Sequence, residues 1–226
     1  MEFTDVIAQW GVTLTPAQLQ MYARYLDLLL LWNERFNLTA ITRPEEVYLK
    51  HFADSLAGLP FVRGRVCDVG AGAGLPSLAL AIADADSTFT LLDSVAKKVT
   101  FLDEVIRTLP LPHARAVHVR AEDAGQGPMR QTFDTVLARA VAPLPTLLEY
   151  LCPLAKVGGR VVVYKTNAED ELALAAHAIE VLGLRLADTL TYTIMGAARC
   201  ILVFDKPVAT PRQYPRGGNK PRTMPL

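Results

Sequence analysis

An apolar run, Val66-Cys67, meets an acid at Asp68 and then three glycines at alternate positions, Gly70, Gly72 and Gly74, before Leu75-Pro76 and a small-residue helical segment. Glycines so spaced let the chain turn sharply after a strand and let a ligand lie against bare main chain. The start of the following helix is expected to supply unpaired amide donors for a polar or anionic ligand group. A second short apolar strand, Phe89-Thr90-Leu91-Leu92, ends in Asp93, 19 residues after Gly74. A nucleotide-binding sheet places an acid there to hold ribose hydroxyls. Together the two features predict a strand–turn–helix–strand unit that binds an adenosine-like cofactor.

A dinucleotide fingerprint needs its third glycine where Leu75 stands. The pattern Asp-x-Gly-x-Gly-x-Gly from Asp68 instead resembles the first motif of S-adenosylmethionine (SAM)-dependent methyltransferases. SAM has no pyrophosphate, so its loop need not cradle phosphate, and Asp68 is free to brace the loop or approach the cationic methionine end. A nicotinamide cofactor is the competing reading.

The 226 residues are enough for one α/β domain with a small appendage. No uncharged apolar run reaches the roughly 20 residues of a membrane span, and the acidic start Met1-Glu2-Phe3-Thr4-Asp5 does not resemble a signal peptide. Cys67, Cys152 and Cys200 are too scattered for a disulfide framework or a zinc site, which predicts buried, reduced thiols and a cytoplasmic protein. His113 and His118 have no partner at metal-ligand spacing, so no metal is assigned. Net charge is zero, but residues 206–226 hold five basic residues and no acid. Their prolines and glycines argue against a helix or a central strand. This basic tail, 207–226, is expected either to be a disordered end or a flexible arm that orders on phosphates.

Residues 1–60 read as a helical cap. Thr15-Pro16-Ala17-Gln18 has the layout of a capped helix start, and Leu19, Tyr22, Leu26, Leu29 and Leu30 follow helical spacing. A second helix is expected from Thr42-Arg43-Pro44-Glu45 through Val47, His51 and Leu56 to Gly58. In 61–206, strands are predicted near 65–69, 88–92, 115–119, 133–138, 158–164, 184–193 and 199–205, with helices near 75–84, 95–108, 143–152 and 169–182. The alternation implies a mostly parallel seven-stranded sheet built by right-handed crossovers. The short link at Gly196 requires one antiparallel strand. That is the Rossmann-like fold of SAM-dependent methyltransferases, preceded by a small helical region.

A longer set of pieces is more specific. Trp32-Asn33 with Asn37-Leu38-Thr39, His51 with Asp54-Ser55-Leu56, and the run from Asp68 to Gly74-Leu75-Pro76 come first. Leu92-Asp93-Ser94 with Lys97-Lys98 and Phe101-Leu102, Arg120-Ala121-Glu122, Ala138-Arg139-Ala140-Val141-Ala142, and Lys165 with Glu169-Asp170-Glu171-Leu172 follow in order. Together they closely resemble the ribosomal RNA small subunit methyltransferase G family, also called glucose-inhibited division protein B. The resemblance implies methyl transfer from SAM to guanine N7 in bacterial 16S rRNA, on the RNA or the small ribosomal subunit. It also implies that Gly70 and Leu75 line the cofactor, that Asp93, Ser94 and Val95 meet its ribose and adenine, that Ala121 and Glu122 flank the adenine, and that Arg139 is a further binding position.

Guanine N7 carries a lone pair and no proton, so direct in-line displacement needs no general base and no catalytic acid or base is assigned. Arg139 and Lys165 are the candidates for positioning the substrate, and His51 reads as a core histidine. No protein partner is evident and a monomer is expected. The rivals are a methyltransferase for a small molecule or a protein, and a non-catalytic SAM-binding module.

Overall fold

The apolar segments after residue 64 become seven strands in this computed structural model, which describes residues 2–226. They are β1 (Arg65–Val69), β2 (Thr88–Asp93), β3 (Ala114–His118), β4 (Phe133–Arg139), β5 (Ala155–Lys165), β6 (Arg185–Ile194) and β7 (Ala197–Asp205). One sheet runs in the order β3-β2-β1-β4-β5-β7-β6. Pairing is parallel from β3 through β5, and β7 runs antiparallel to both neighbours. The expected sheet with one reversed strand is present. Its closing hairpin turns through Met195 and Gly196, both at positive φ, the twist that a two-residue link requires.

Parallel strands covered on both faces must be apolar at successive positions. In β4 and β5, Val136, Ala138, Val161 and Val163 enter one core, while Leu137 and Val162 enter the other. Against the second of these lie α1 (Phe3–Ala8), α2 (Pro16–Asn33), α3 (Pro44–Val47), α4 (Asp54–Leu56), α5 (Ser77–Ala83) and α6 (Ala96–Thr108). The opposite face carries α7 (Ala121–Gln126), α8 (Leu144–Leu151), α9 (Ala168–Leu174), α10 (Ala176–Leu182) and α11 (Lys220–Thr223). Among the described residues no helix is long and apolar enough to cross a membrane. All three cysteines are buried and free.

The start of α2 has the geometry its sequence implies. Gln18 N–H donates to Thr15 Oγ1 (3.2 Å) and Thr15 N–H to Gln18 Oε1 (2.8 Å), a reciprocal cap of about 0.5–2 kcal/mol. The helix then locks onto the glycine turn. Tyr22 donates its hydroxyl to Ala79 O (2.6 Å), and Tyr25 donates to Ala73 O (2.5 Å). The N-terminal helices therefore share a core with the sheet and fix the loop after β1.

Four expectations change. The helix expected up to Gly58 contains a π turn, Tyr48–Ala53, between α3 and α4. The helix expected over 169–182 bends at Ala175, whose N–H is shared between Glu171 O (3.1 Å) and Leu172 O (3.2 Å). Helix α7 was not expected, because its sequence Ala-Glu-Asp-Ala-Gly-Gln has no apolar period. The tail is neither a loose end nor helix-free. Tyr214 and Pro221 are buried, Arg216 grips the buried Glu149 through Nε (2.9 Å) and Nη2 (2.6 Å), and Thr146 donates to Pro221 O (2.8 Å). Pro221 sits in the first turn of α11, where a missing N–H costs nothing. Lys206 belongs to the interior too, donating to Cys152 O (2.8 Å) and Ala155 O (2.5 Å), and burial pulls its pKa down to about 8.

Candidate functional site

The strand order reverses between β1 and β4, and a crevice opens at the carboxyl ends of the strands at such a switch point. A cavity of about 540 Å³ lies there. Gly70 from the turn after β1, Asp93, Ser94 and Val95 after β2, and Ala121 and Glu122 at the start of α7 line it. These six expected residues are brought together. Asp68, Gly72, Gly74 and Leu75 do not line this cavity, and Arg139 lines a different one.

The glycine turn works differently from its sequence-based reading. Its amides are not left for a ligand: Gly70 and Ala71 N–H both donate to Leu92 O (2.9 and 3.0 Å), Ser77 N–H to Asp68 Oδ2 (3.3 Å) and Leu78 N–H to Gly74 O (2.7 Å). The expectation of a helix terminus offering free donors is thus corrected for the first two amides of α5, which begins only at Ser77 and has them satisfied internally. Two glycines are required by space. A Cβ on Gly70 would come within 2.7 Å of Val141 at the cavity wall, and one on Gly74 within 2.7 Å of the Tyr25 hydroxyl.

Asp93 ties the two loops. Its Oδ2 accepts from Gly72 N–H (2.9 Å), its Oδ1 from Val95 N–H (2.9 Å), and Lys98 Nζ stands 4.0 Å away. A carboxylate has about four acceptor positions, so each oxygen keeps one for a hydroxyl in the cavity. Asp68 braces the loop from below and is almost wholly buried. Its Oδ1 has no partner, and burial pushes the carboxyl up to about 7. Glu122 is buried as well, and Tyr150 on α8 packs beside it, its pKa raised by burial and by that carboxylate. Lys98, Arg120, Tyr150, Asn219 and Arg222 complete the wall. Sequence reading missed them: Tyr150 sits in an apolar helix that reads as plain core, and Asn219 and Arg222 lie in a segment with no periodicity.

Ala140 belongs to this cavity and also to a second one of about 360 Å³. It takes φ +56°, a conformation that β-carbon sterics disfavour and that clusters at functional sites. Lys50, His51, Asp54, Arg139, Lys165 and Arg199 line the second cavity. Buried Asp54 organises it, accepting from Arg139 Nη1 (2.8 Å) and the Tyr192 hydroxyl (2.9 Å), with Arg199 Nε at 3.6 Å. The π turn delivers Lys50 O and His51 Nδ1 to Arg139, each at 3.4 Å; π turns inside helices recur at functional sites. His51 Nε2 lies 2.7 Å from Thr39 Oγ1, and burial and the nearby arginine lower its pKa to about 4, so its ring is neutral. Lys165 is held by Glu171 Oε1 (2.9 Å) and Ala142 O (2.8 Å).

A seven-stranded sheet with a reversed β7, a tight glycine turn after β1 and an acid closing β2 over one cavity define a Rossmann-like SAM-dependent methyltransferase. Solved structures share the fold. A SAM-dependent methyltransferase from Aquifex aeolicus superposes with a TM-score of 0.53 at 17% identity, covering 72% of this chain and 93% of that one. Precorrin-6y C5,15-methyltransferase from Geobacter metallireducens gives 0.50 at 17%, covering 67% and 86%. The family is narrower still. The family model for rRNA small subunit methyltransferase G matches residues 18–195. A ribosomal RNA small subunit methyltransferase G from Lactobacillus johnsonii is 44% identical over 99% of this chain and 98% of its own length. One from Desulfitobacterium hafniense is 43% identical over 96% and 92%. The chain belongs to the rRNA small subunit methyltransferase G family.

Proposed function

We propose that the protein transfers the methyl group of SAM to N7 of a guanine in 16S rRNA, acting as a cytoplasmic monomer on the RNA or on the small ribosomal subunit. The observation that carries this reading is the pair of cavities meeting at Ala140, one suited to a nucleoside cofactor and the other walled by hydrogen-bond donors. The fit to SAM rests on three features. Gly70 presents bare backbone to the cavity at a point where a Cβ would collide with Val141, Asp93 keeps acceptor positions for ribose hydroxyls, and Glu122 with Ala121 flanks the far wall for adenine. Bound SAM supplies a sulfonium-activated methyl group, the intrinsic chemistry of the reaction.

The residues of the second cavity then have to select and hold the base. Guanine presents only acceptors, N7 and O6, on its major-groove edge, whereas adenine presents an N6 donor. Arg139 and Arg199 have five N–H donors each, and the contacts to Asp54, His51, Lys50 O and Ala198 O leave several free. A donor wall of this kind accepts O6 and rejects the adenine amino group. No proton leaves N7, so no general base is needed, and neutral His51 serves as a rest for Arg139. Holding N7 in line with the methyl carbon is worth roughly 7–11 kcal/mol in favourable cases. Positive charge reaches the purine during transfer, and Asp54 is the carboxylate lining this cavity that can offset it. Mass-spectrometric mapping of methylated nucleosides in 16S rRNA, with and without the protein, tests the reading. An N7-methylguanine that depends on the protein is the expected result. Failure of free RNA and small subunits alike as acceptors would refute it.

A further inference from the structure

The β3–β4 crossover carries only the six-residue α7, and that helix lines the cofactor cavity at the carboxyl ends of the strands. The other half of the same sheet face, at the amino ends of β1 to β4, is left open and holds a separate cavity of about 300 Å³. Cross-strand neighbours build it: Arg65 on β1 opposes Thr88 on β2, and Thr90 on β2 opposes Arg115 on β3. Phe133 and His113 close its sides.

The arginines of this cavity are held without an acid, whereas Arg139 is anchored by Asp54 and Arg216 by Glu149. Here the Arg65 guanidinium lies over the Phe133 ring, 5.6 Å from its centre, and Arg115 Nε donates to Thr90 Oγ1 (3.1 Å). No Asp or Glu lines the cavity. Asp134 is the nearby acid, but it is ion-paired with Lys156 and takes the backbone N–H of Arg65 (2.8 Å). His113 borders the cavity with its Nε2 engaged elsewhere, 2.9 Å from Ala81 O. Two guanidinium forks are therefore oriented by neutral contacts into one concavity, with no counter-charge there.

We propose that this cavity binds a phosphate group, gripped by the guanidinium groups of Arg65 and Arg115 with the Thr88 and Thr90 hydroxyls as further donors. Planar forks of this kind suit the paired oxygens of phosphate. The site lies at the opposite end of the strands from the methyl-transfer cavities, so its ligand is neither the methyl donor nor the accepting base. The phosphate comes either from an RNA backbone or from a free nucleotide or inorganic ion, and two probes separate these sources.

Pyrophosphate is titrated by calorimetry and a short single-stranded RNA by fluorescence anisotropy, on the parent and on Arg65→Gln/Arg115→Gln. Both arginines are exposed, so the variant should keep its melting temperature and its affinity for S-adenosylhomocysteine. Should the double variant misfold, Arg115→Gln alone carries the comparison. Weakening of pyrophosphate by about tenfold or more assigns the site to free phosphate. A weaker RNA affinity, with a salt slope shallower by about 0.7 for each lost contact, assigns it to an RNA backbone. If the parent binds neither probe, or if the substitutions alter neither affinity, the proposal is overturned. Pyrophosphate must also shift the amide resonances of Thr88 and Thr90 when it binds; shifts confined to other parts of the protein overturn it equally.

Discussion

Asp68 and Asp93 end or nearly end adjacent strands and look alike in sequence, yet their surroundings give them different work. Asp93 takes two backbone N–H bonds and faces the cavity, while Asp68 takes one and has an orphaned buried oxygen. Because burial raises Asp68 to about 7 from its ordinary 3.8, the folded chain keeps a proton that the unfolded chain has released between these values. Stability must therefore fall as pH rises through that window. Asp68→Asn should flatten the decline and raise stability at pH above it, as read by urea unfolding across pH. Arg139 makes the opposite case. Arg139→Ala removes the 2.8 Å partner of buried Asp54, costing about 1–3 kcal/mol, and should cut methyl transfer by roughly a hundredfold through misplacement of the base. Single-turnover rates beside unfolding curves separate these effects, and activity near the parent's would make the arginine purely structural. Asp93 was legible in the sequence because spacing fixes where a second strand ends. Asp54 was not assigned a role, since its partners Arg139, Tyr192 and Arg199 converge only in three dimensions.

The turn after β1 shows how an element divides labour among residues that share one motif. Gly72 and Gly74 both have positive φ, but a Cβ at 72 meets only Gly70 O at 3.8 Å, whereas one at 74 collides with Leu78 and the Tyr25 hydroxyl. Gly72→Ala should cost about 1 kcal/mol for its backbone alone. Gly74→Ala should cost more by about 1–3 kcal/mol, because α2 would have to back away from the loop. Thermal unfolding of the two variants decides the order, and equal losses would mean that Tyr25 does not clamp the turn. Strands and capped helices were readable because their signals are local: Thr15 and Gln18 state the start of α2, and the Met195-Gly196 link states an antiparallel pair. Helix α7 escaped because its six residues carry no apolar period, although Glu122 and Asp123 in its first turn suit a helix N-terminus. The π turn at 48–53 has no sequence signature; its extra residue is visible only through the contacts of Lys50 and His51 with Arg139.

Across the whole molecule, the segment after β7 is the part that sequence misjudged, because its composition resembles an unstructured end while its contacts are long-range. Glu149 is fully buried and its carboxylate is met by Arg216 alone, through backbone and side chain. Arg216→Met should destabilise the protein by about 3 kcal/mol, since one buried charge loses its partner, and Glu149→Gln in the same chain should restore part of the loss. Chemical unfolding of the two variants measures both. The same docking brings Asn219 and Arg222 to the wall opposite the glycine turn. A nascent polypeptide that has already emerged as far as β7 thus holds a finished sheet but an unfinished donor chamber. Loss of 207–226 from the finished enzyme would likewise open that chamber, and it would also leave Glu149 buried without its arginine.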